Sequence, residues 1–190
     1  MTAENRSSST GNMTQKGTGA LACLLVAAMI VMAMCGCGRG KVESSLEDLR
    51  SANVVVREQA IVQLGDLDGR SATGALTEFL DSSQPKGTRL LATRALGKIG
   101  QDEAVPILIR AIPEDDLELR TATVEALGMI GDVRAVQPLI EQAKQTNVQL
   151  TAIWALGNLR CQESIAALTE LLKSDDKFVR YNARQSLKRL

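Results

Sequence analysis

The chain has 190 residues, of which 45% are hydrophobic, 23% charged and only 2% aromatic, and its 22 basic and 22 acidic side chains cancel. Balanced charge argues against a nucleic-acid partner, whose phosphates call for a basic stripe, and the absence of any His removes most catalytic triads, most zinc sites and the usual general base near neutral pH. So few rings suit a stack of small-residue helices better than one large core.

In chain order, residues 1–19 are rich in Ser, Thr, Gly and Asn and lack periodicity, the composition of a segment that buries little. Met13 offers a second start that omits Glu4 and leaves Lys16 as the single charge before an apolar run, so translation is expected to begin there. The run itself, Ala20 to Met34, is uninterrupted, as in a signal-peptide core. It ends in Met34-Cys35-Gly36-Cys37, which resembles the lipobox of bacterial lipoproteins. That resemblance implies that residues 1–37 are tail and signal peptide, that Cys37 is the lipid attachment site, and that the mature chain sits in the cell envelope, held to a membrane. An uncleaved transmembrane helix is the alternative, since residues 19–38 are long enough to span a bilayer. Only Cys161 then remains in the folded part, so no disulfide is expected. Cys35-Gly36-Cys37, with no His and no second Cys pair, is not expected to bind metal, and no cofactor is expected.

A spacer, residues 38–41, leads into a domain at 42–190 that is built from one repeated unit. VREQAIVQLG from Val56 matches TRLLATRALG from Thr88, LRTATVEALG from Leu119, VQLTAIWALG from Val148 and VRYNARQSLK from Val179, in steps of 29 to 32 residues. A fixed period of this size marks a solenoid. Within a copy the apolar or small residues at the first, fifth, eighth, ninth and twelfth places make one helical stripe. Ala60, Ala92, Ala152 and Ala183 allow close approach of neighbouring helices, and Leu64, Leu96, Leu127, Leu156 and Leu187 fill the space between layers. The following Gly (Gly65, Gly97, Gly128, Gly157) is expected at the end of the helix, where the chain turns. Lys188 stands there in the last copy, as expected of a unit with no successor.

A shorter helix precedes each copy, starting at Glu43, Ala72, Ala104, Ala135 and Ser164, with Pro106 and Pro138 in first turns where their missing N–H costs nothing. The predicted fold is therefore all-α, an α-solenoid of five helix pairs. The acidic turn, Val-Arg, small residue and Ala-Leu-Gly of the unit resemble HEAT-like repeats of the short type found in phycobilin lyases. The resemblance implies a ladder between neighbouring repeats made by Arg57, Arg89, Arg120 and Arg180 with turn acids such as Asp116 and Asp176. Repeat four carries Asn147 and Gln149 instead, so the ladder is expected to be weakest there.

The third and seventh places of the second helices point away from the packing stripe and are expected to be open. They hold Glu58, Leu90, Thr121, Leu150 and Tyr181, then Val62, Arg94, Glu125, Trp154 and Gln185. Leu150, Trp154 and Tyr181, with Leu90, are the predicted partner-binding residues, because Trp and Tyr dominate binding hot spots and sister positions are charged. On that reading Trp154 is not needed for stability; the alternative is that Trp154 is a core residue. Lys177, Arg180, Arg184, Lys188 and Arg189, with no acid among them, read as the polar outer face of a capping helix, the alternative being a basic patch that faces anionic lipid or a partner's acidic surface.

These readings favour a membrane-tethered, non-enzymatic scaffold that binds an unidentified protein or peptide through its second helices. The alternative, implied by the family resemblance, is a phycobilin-lyase-like subunit that binds or positions a tetrapyrrole. For such a subunit more repeats, a nucleophile or acid in the groove and no export signal are expected.

Overall fold

The computed structural model describes residues 40–190 except 68–69 and 113–114. Cys37 and the apolar run lie outside them. Among the described residues there are ten α-helices and no strand. They run α1 (40–48), α2 (Val54–Asp66), α3 (Thr73–Thr77), α4 (Lys86–Ile99), α5 (Val105–Ala111), α6 (Leu117–Ile130), α7 (Val136–Gln142), α8 (Gln149–Leu159), α9 (Gln162–Leu171) and α10 (Lys177–Leu187). Odd-numbered helices are the first members of the five pairs, and 3₁₀ turns flank α3 and lead into α5 and α7. The even-numbered helices pack on one another in succession from α2 to α10. Residues 42–190 form one compact unit whose core runs from Leu49 to Ala183.

Each second helix starts and stops for local reasons. Asn53, Asp116 and Asp176 cap α2, α6 and α10, each accepting a backbone N–H from the first turn. α4 and α6 end on left-handed glycines, Gly100 (φ 70°) and Gly131 (φ 75°), whereas α8 ends on Arg160 in the same conformation (φ 50°). These are the terminating residues, so the expectation for the Ala-Leu-Gly glycines is corrected. Gly65, Gly97, Gly128 and Gly157 lie inside their helices and are buried.

Their purpose is close approach. A Cβ at Gly65 would meet Ala95 at 3.0 Å, at Gly97 Ala126 at 2.9 Å, at Gly128 Ala155 at 2.6 Å, and at Gly157 Ser186 at 2.7 Å. Every glycine thus receives the small eighth-place residue of the next unit, and the second helices stack at a distance that no side chain at the tenth place would permit. Ser186 adds a hydrogen bond from its Oγ to the Ile153 carbonyl (3.1 Å), and Asn158 Nδ2 donates to the Gly128 carbonyl (3.1 Å).

Arg57 and Arg180 act within their own units, a second correction. Arg57 Nη1 donates to the carbonyls of Ser51 (2.7 Å) and Ala52 (3.1 Å), and Arg180 Nη1 to those of Ser174 and Asp175 (both 2.7 Å). The acceptors lie six and five residues back, in the turn between the two helices of the same repeat, where carbonyls left free by the first helix attract a cation. Arg89 and Arg120 hold the same place in α4 and α6 and are half-buried. In repeat four Gln149 Nε2 donates to the Ala143 carbonyl, again six back, at 2.8 Å. The amide does the same job with one bond and no charge.

Asp116 does tie neighbouring repeats, but through Lys86 (2.6 Å) rather than an arginine, while Asp176 only caps its own helix. Further ties between units are Lys98 to Asp66 (2.7 Å), Thr88 Oγ1 to Glu58 Oε1 (2.9 Å), and Arg134, which grips Asp132 and reaches the Asp102 carbonyl (2.8 Å).

Candidate functional site

The face of the second helices turned away from the core carries exposed side chains of several repeats, among them Arg94, Glu125, Leu150 and Tyr181. Along it a groove runs between α4 and α6. Lys86, Arg94 and Lys98 stand on the α4 side, Asp116, Glu118 and Glu125 on the α6 side, and Ala122, Ala126 and Met129 line the floor toward its far end. Ala122 and Ala126 are small because they are the residues that admit the neighbouring helix, and Met129 lies over Gly97 beside them. The walls are charged because they are the seventh and flanking places, which the stack leaves in water.

Most of this charge is internally matched. Lys86 bridges Asp116 and Glu118 (3.1 Å); the bonds to these carboxylates raise its pKa, and Lys86, with the Leu119 and Glu118 N–H groups, holds the Asp116 carboxyl below the usual range. Lys98 is shared with Asp66. Arg94 is exposed and makes no ion pair among the described residues, so it is the cation in the groove open to a ligand. Among those residues no group of three or more His, Cys, Asp or Glu side chains is placed to hold a metal ion.

The four predicted partner-binding residues fall into three environments. Leu150 (45%) and Tyr181 (61%) are exposed. Trp154 is half-buried against the core, with its Cζ3 where a Cβ of Gly128 would meet it at 2.9 Å. Its ring therefore lies back over the preceding repeat and has a packing role as well as an open edge. Leu90 is buried at 9% and forms a small cluster with Leu119 and Ala122, so its place in the binding set is corrected. In α6 the small residue comes one place early, at Ala122 with Thr123 following, and Leu119 rather than Val fills the first place; both close over Leu90. Exposed apolar side chains that periodicity did not single out include Met129 (49%), Leu117 (46%) and Phe178 (60%). Met129 directly follows Gly128, and its Sδ lies over Gly97; the apolar residue after Ala-Leu-Gly was the available signal.

A family description of HEAT repeats matches residues 42–123, 75–148 and 140–190. The chain belongs to the HEAT-repeat family. Its repeats are 37% identical over 127 residues (62% of this chain, 47% of the relative) to bilin biosynthesis protein PecE of Mastigocladus laminosus, and 43% identical over 75 residues to PecE of a Nostoc strain. They are 34% identical over 103 residues to deoxyhypusine hydroxylase of Schizosaccharomyces pombe, covering 50% of this chain and 32% of that one. This HEAT chain therefore spans about half or less of the length of the curated relatives it matches. Among solved structures, the complex of CpcE and CpcF of phycocyanin lyase from Nostoc superposes with a TM-score of 0.65 at 24% identity, over 78% of this chain and 64% of that one. Human deoxyhypusine hydroxylase gives 0.54 at 21% identity, over 78% and 61%. Those two likenesses speak to fold alone.

The relatives overturn the expectation of a non-enzymatic protein-binding scaffold. Proteins with these repeats are named for bilin biosynthesis and for a hydroxylation, so the lack of a compact catalytic motif did not warrant placing the chain outside enzymes. A repeat pattern reports stacking, which many activities share.

Proposed function

We propose that this chain is a bilin-handling HEAT subunit, which holds an open-chain tetrapyrrole on its second-helix face as one part of a lyase-type assembly. The observation that carries the reading is the 37% identity to PecE over 127 residues. The groove between α4 and α6 supports it chemically. A linear tetrapyrrole is a conjugated chain of rings bearing two propionates; it calls for an apolar floor with cations at the rim. Ala122, Ala126 and Met129 offer the floor, Arg94 the open cation, and Lys98 a second one held by Asp66. The work of these residues is to bind and orient. On this reading a second subunit supplies the rest of the enclosure, as the pairing of CpcE with CpcF suggests.

The test is titration of the folded protein with biliverdin, read by induced circular dichroism in the visible band. A saturable signal that weakens about tenfold in Arg94→Glu, about 1.4 kcal/mol, supports the reading. A featureless titration, or one indifferent to Arg94, refutes it. Lipid attachment at Cys37 is a separate proposal that rests on the sequence: labelled fatty acid should enter the parent chain and not Cys37→Ser.

A further inference from the structure

On each second helix one stripe faces the following unit. In α4 it holds Leu90, Thr93 and Gly97, all buried, with Leu90 under Leu119 and Ala122, and Gly97 under Ala126 of α6. In α6 the stripe includes Val124 and Gly128, and in α8 Ile153 and Gly157, each pair buried beneath the next helix. The same places in α10 are Tyr181, Arg184 and Lys188. Lys177 extends the stripe one turn earlier, and spacings of four, three and four keep all four residues on one face. All are exposed. None of the three cations makes an ion pair among the described residues, no acid occurs between Lys177 and Leu190, and the Lys177 ammonium stands 5.2 Å from the centre of the Phe178 ring.

We propose that this outer stripe of α10 docks an acidic α-helix of a partner protein. Its interior counterparts at the sixth and tenth places show the shape it accepts, because Thr93, Val124 and Ile153 with Gly97, Gly128 and Gly157 are all buried beneath an α-helix. Lys188 replaces the glycine on which those helices close to contact distances, so an incoming helix must stand farther off. The widened gap suits long side chains, and carboxylates four residues apart would face Arg184 and Lys188, which lie about 6 Å apart along the axis. Tyr181, where interior units have a leucine or a small polar residue, offers a flat contact between the charges. Opposed charge sets register and speeds encounter, and salt weakens it. This inference does not rest on the bilin reading.

The probe is a synthetic Ala-rich helical peptide of about eighteen residues with Glu at every fourth place, titrated into the full chain by calorimetry. A peptide of the same composition, broken by two prolines, is the comparison. Binding of the helical peptide should weaken at least fivefold between about 50 mM and about 300 mM salt. It should weaken more than tenfold in Arg184→Glu/Lys188→Glu and in the milder Arg184→Gln/Lys188→Gln, and not at all in Lys144→Glu. Equal binding of the broken peptide, indifference to either double variant, or no heat at millimolar peptide would overturn the proposal. So would self-association of the chain that is abolished by Arg184→Glu/Lys188→Glu, because the occupant would then be another copy.

Discussion

Gly128→Ala is the substitution that tests the stacking argument most directly. In an open helix the change favours the folded state by about 0.8–1 kcal/mol through backbone entropy. Here the new methyl would lie 2.6 Å from Ala155 Cβ, 2.7 Å from Ala155 Cα and 2.9 Å from Trp154 Cζ3, where carbon atoms rest at about 3.5–4.0 Å. Ala155 is buried on α8 and its Cα is backbone, so relief requires the two helices to separate along their length. Overpacking of this kind costs about 1–3 kcal/mol, and the separation also loosens the indole over Gly128. Net destabilisation of about 1–2 kcal/mol follows, which lowers Tm by roughly 2–8 °C in a domain of this size. The control is Gly74→Ala in α3, where nothing lies within 4 Å of the added methyl; there the helix term acts alone and Tm should rise by about 1–4 °C. Thermal melts by circular dichroism, compared with urea midpoints, read both. A Tm of Gly128→Ala at or above the parent's would refute the close-approach account of Ala-Leu-Gly.

Gln149→Arg should stabilise the fold by about 0.5–1 kcal/mol, because it supplies the second carbonyl bond and the charge that Arg57 and Arg180 bring to their turns; an unchanged urea midpoint would mean that the 143–148 turn cannot receive a guanidinium. Trp154→Ala should lower stability by about 2 kcal/mol, since the half-buried ring packs on the core and over Gly128, and Trp154→Phe should recover part of it; an unchanged melt would restore Trp154 as a residue needed only for binding. Asp116 and Asp132 are held below the usual carboxylate range, the first by Lys86 and the second by Arg134. A depressed folded pKa gives stability that is full above the unfolded value of about 3.9 and is lost as pH falls through the folded one. Tm should therefore be flat from about pH 7 to 5 and drop below about pH 4, less steeply in Asp132→Asn; an identical acid limb in that variant would contradict the assignment.

Residue order alone carried the repeat and its helices. A period near thirty residues and a stripe at helical spacing are local features, so the five pairs and the packing faces of the second helices could be read from them. Tertiary structure decided what the conspicuous residues touch. Glycine near the end of a helix looks like a terminator until the following repeat is laid on it and Ala155 fills the space above Gly128. Arg180 looks like a rung to the next repeat until its own turn carbonyls prove nearer, and Leu90 looks open until the one-place shift of Ala122 covers it. In each case the sequence specifies a face and a direction, but the contact depends on how closely two helices approach. That distance is set by pairs of residues about thirty positions apart, which no local pattern connects.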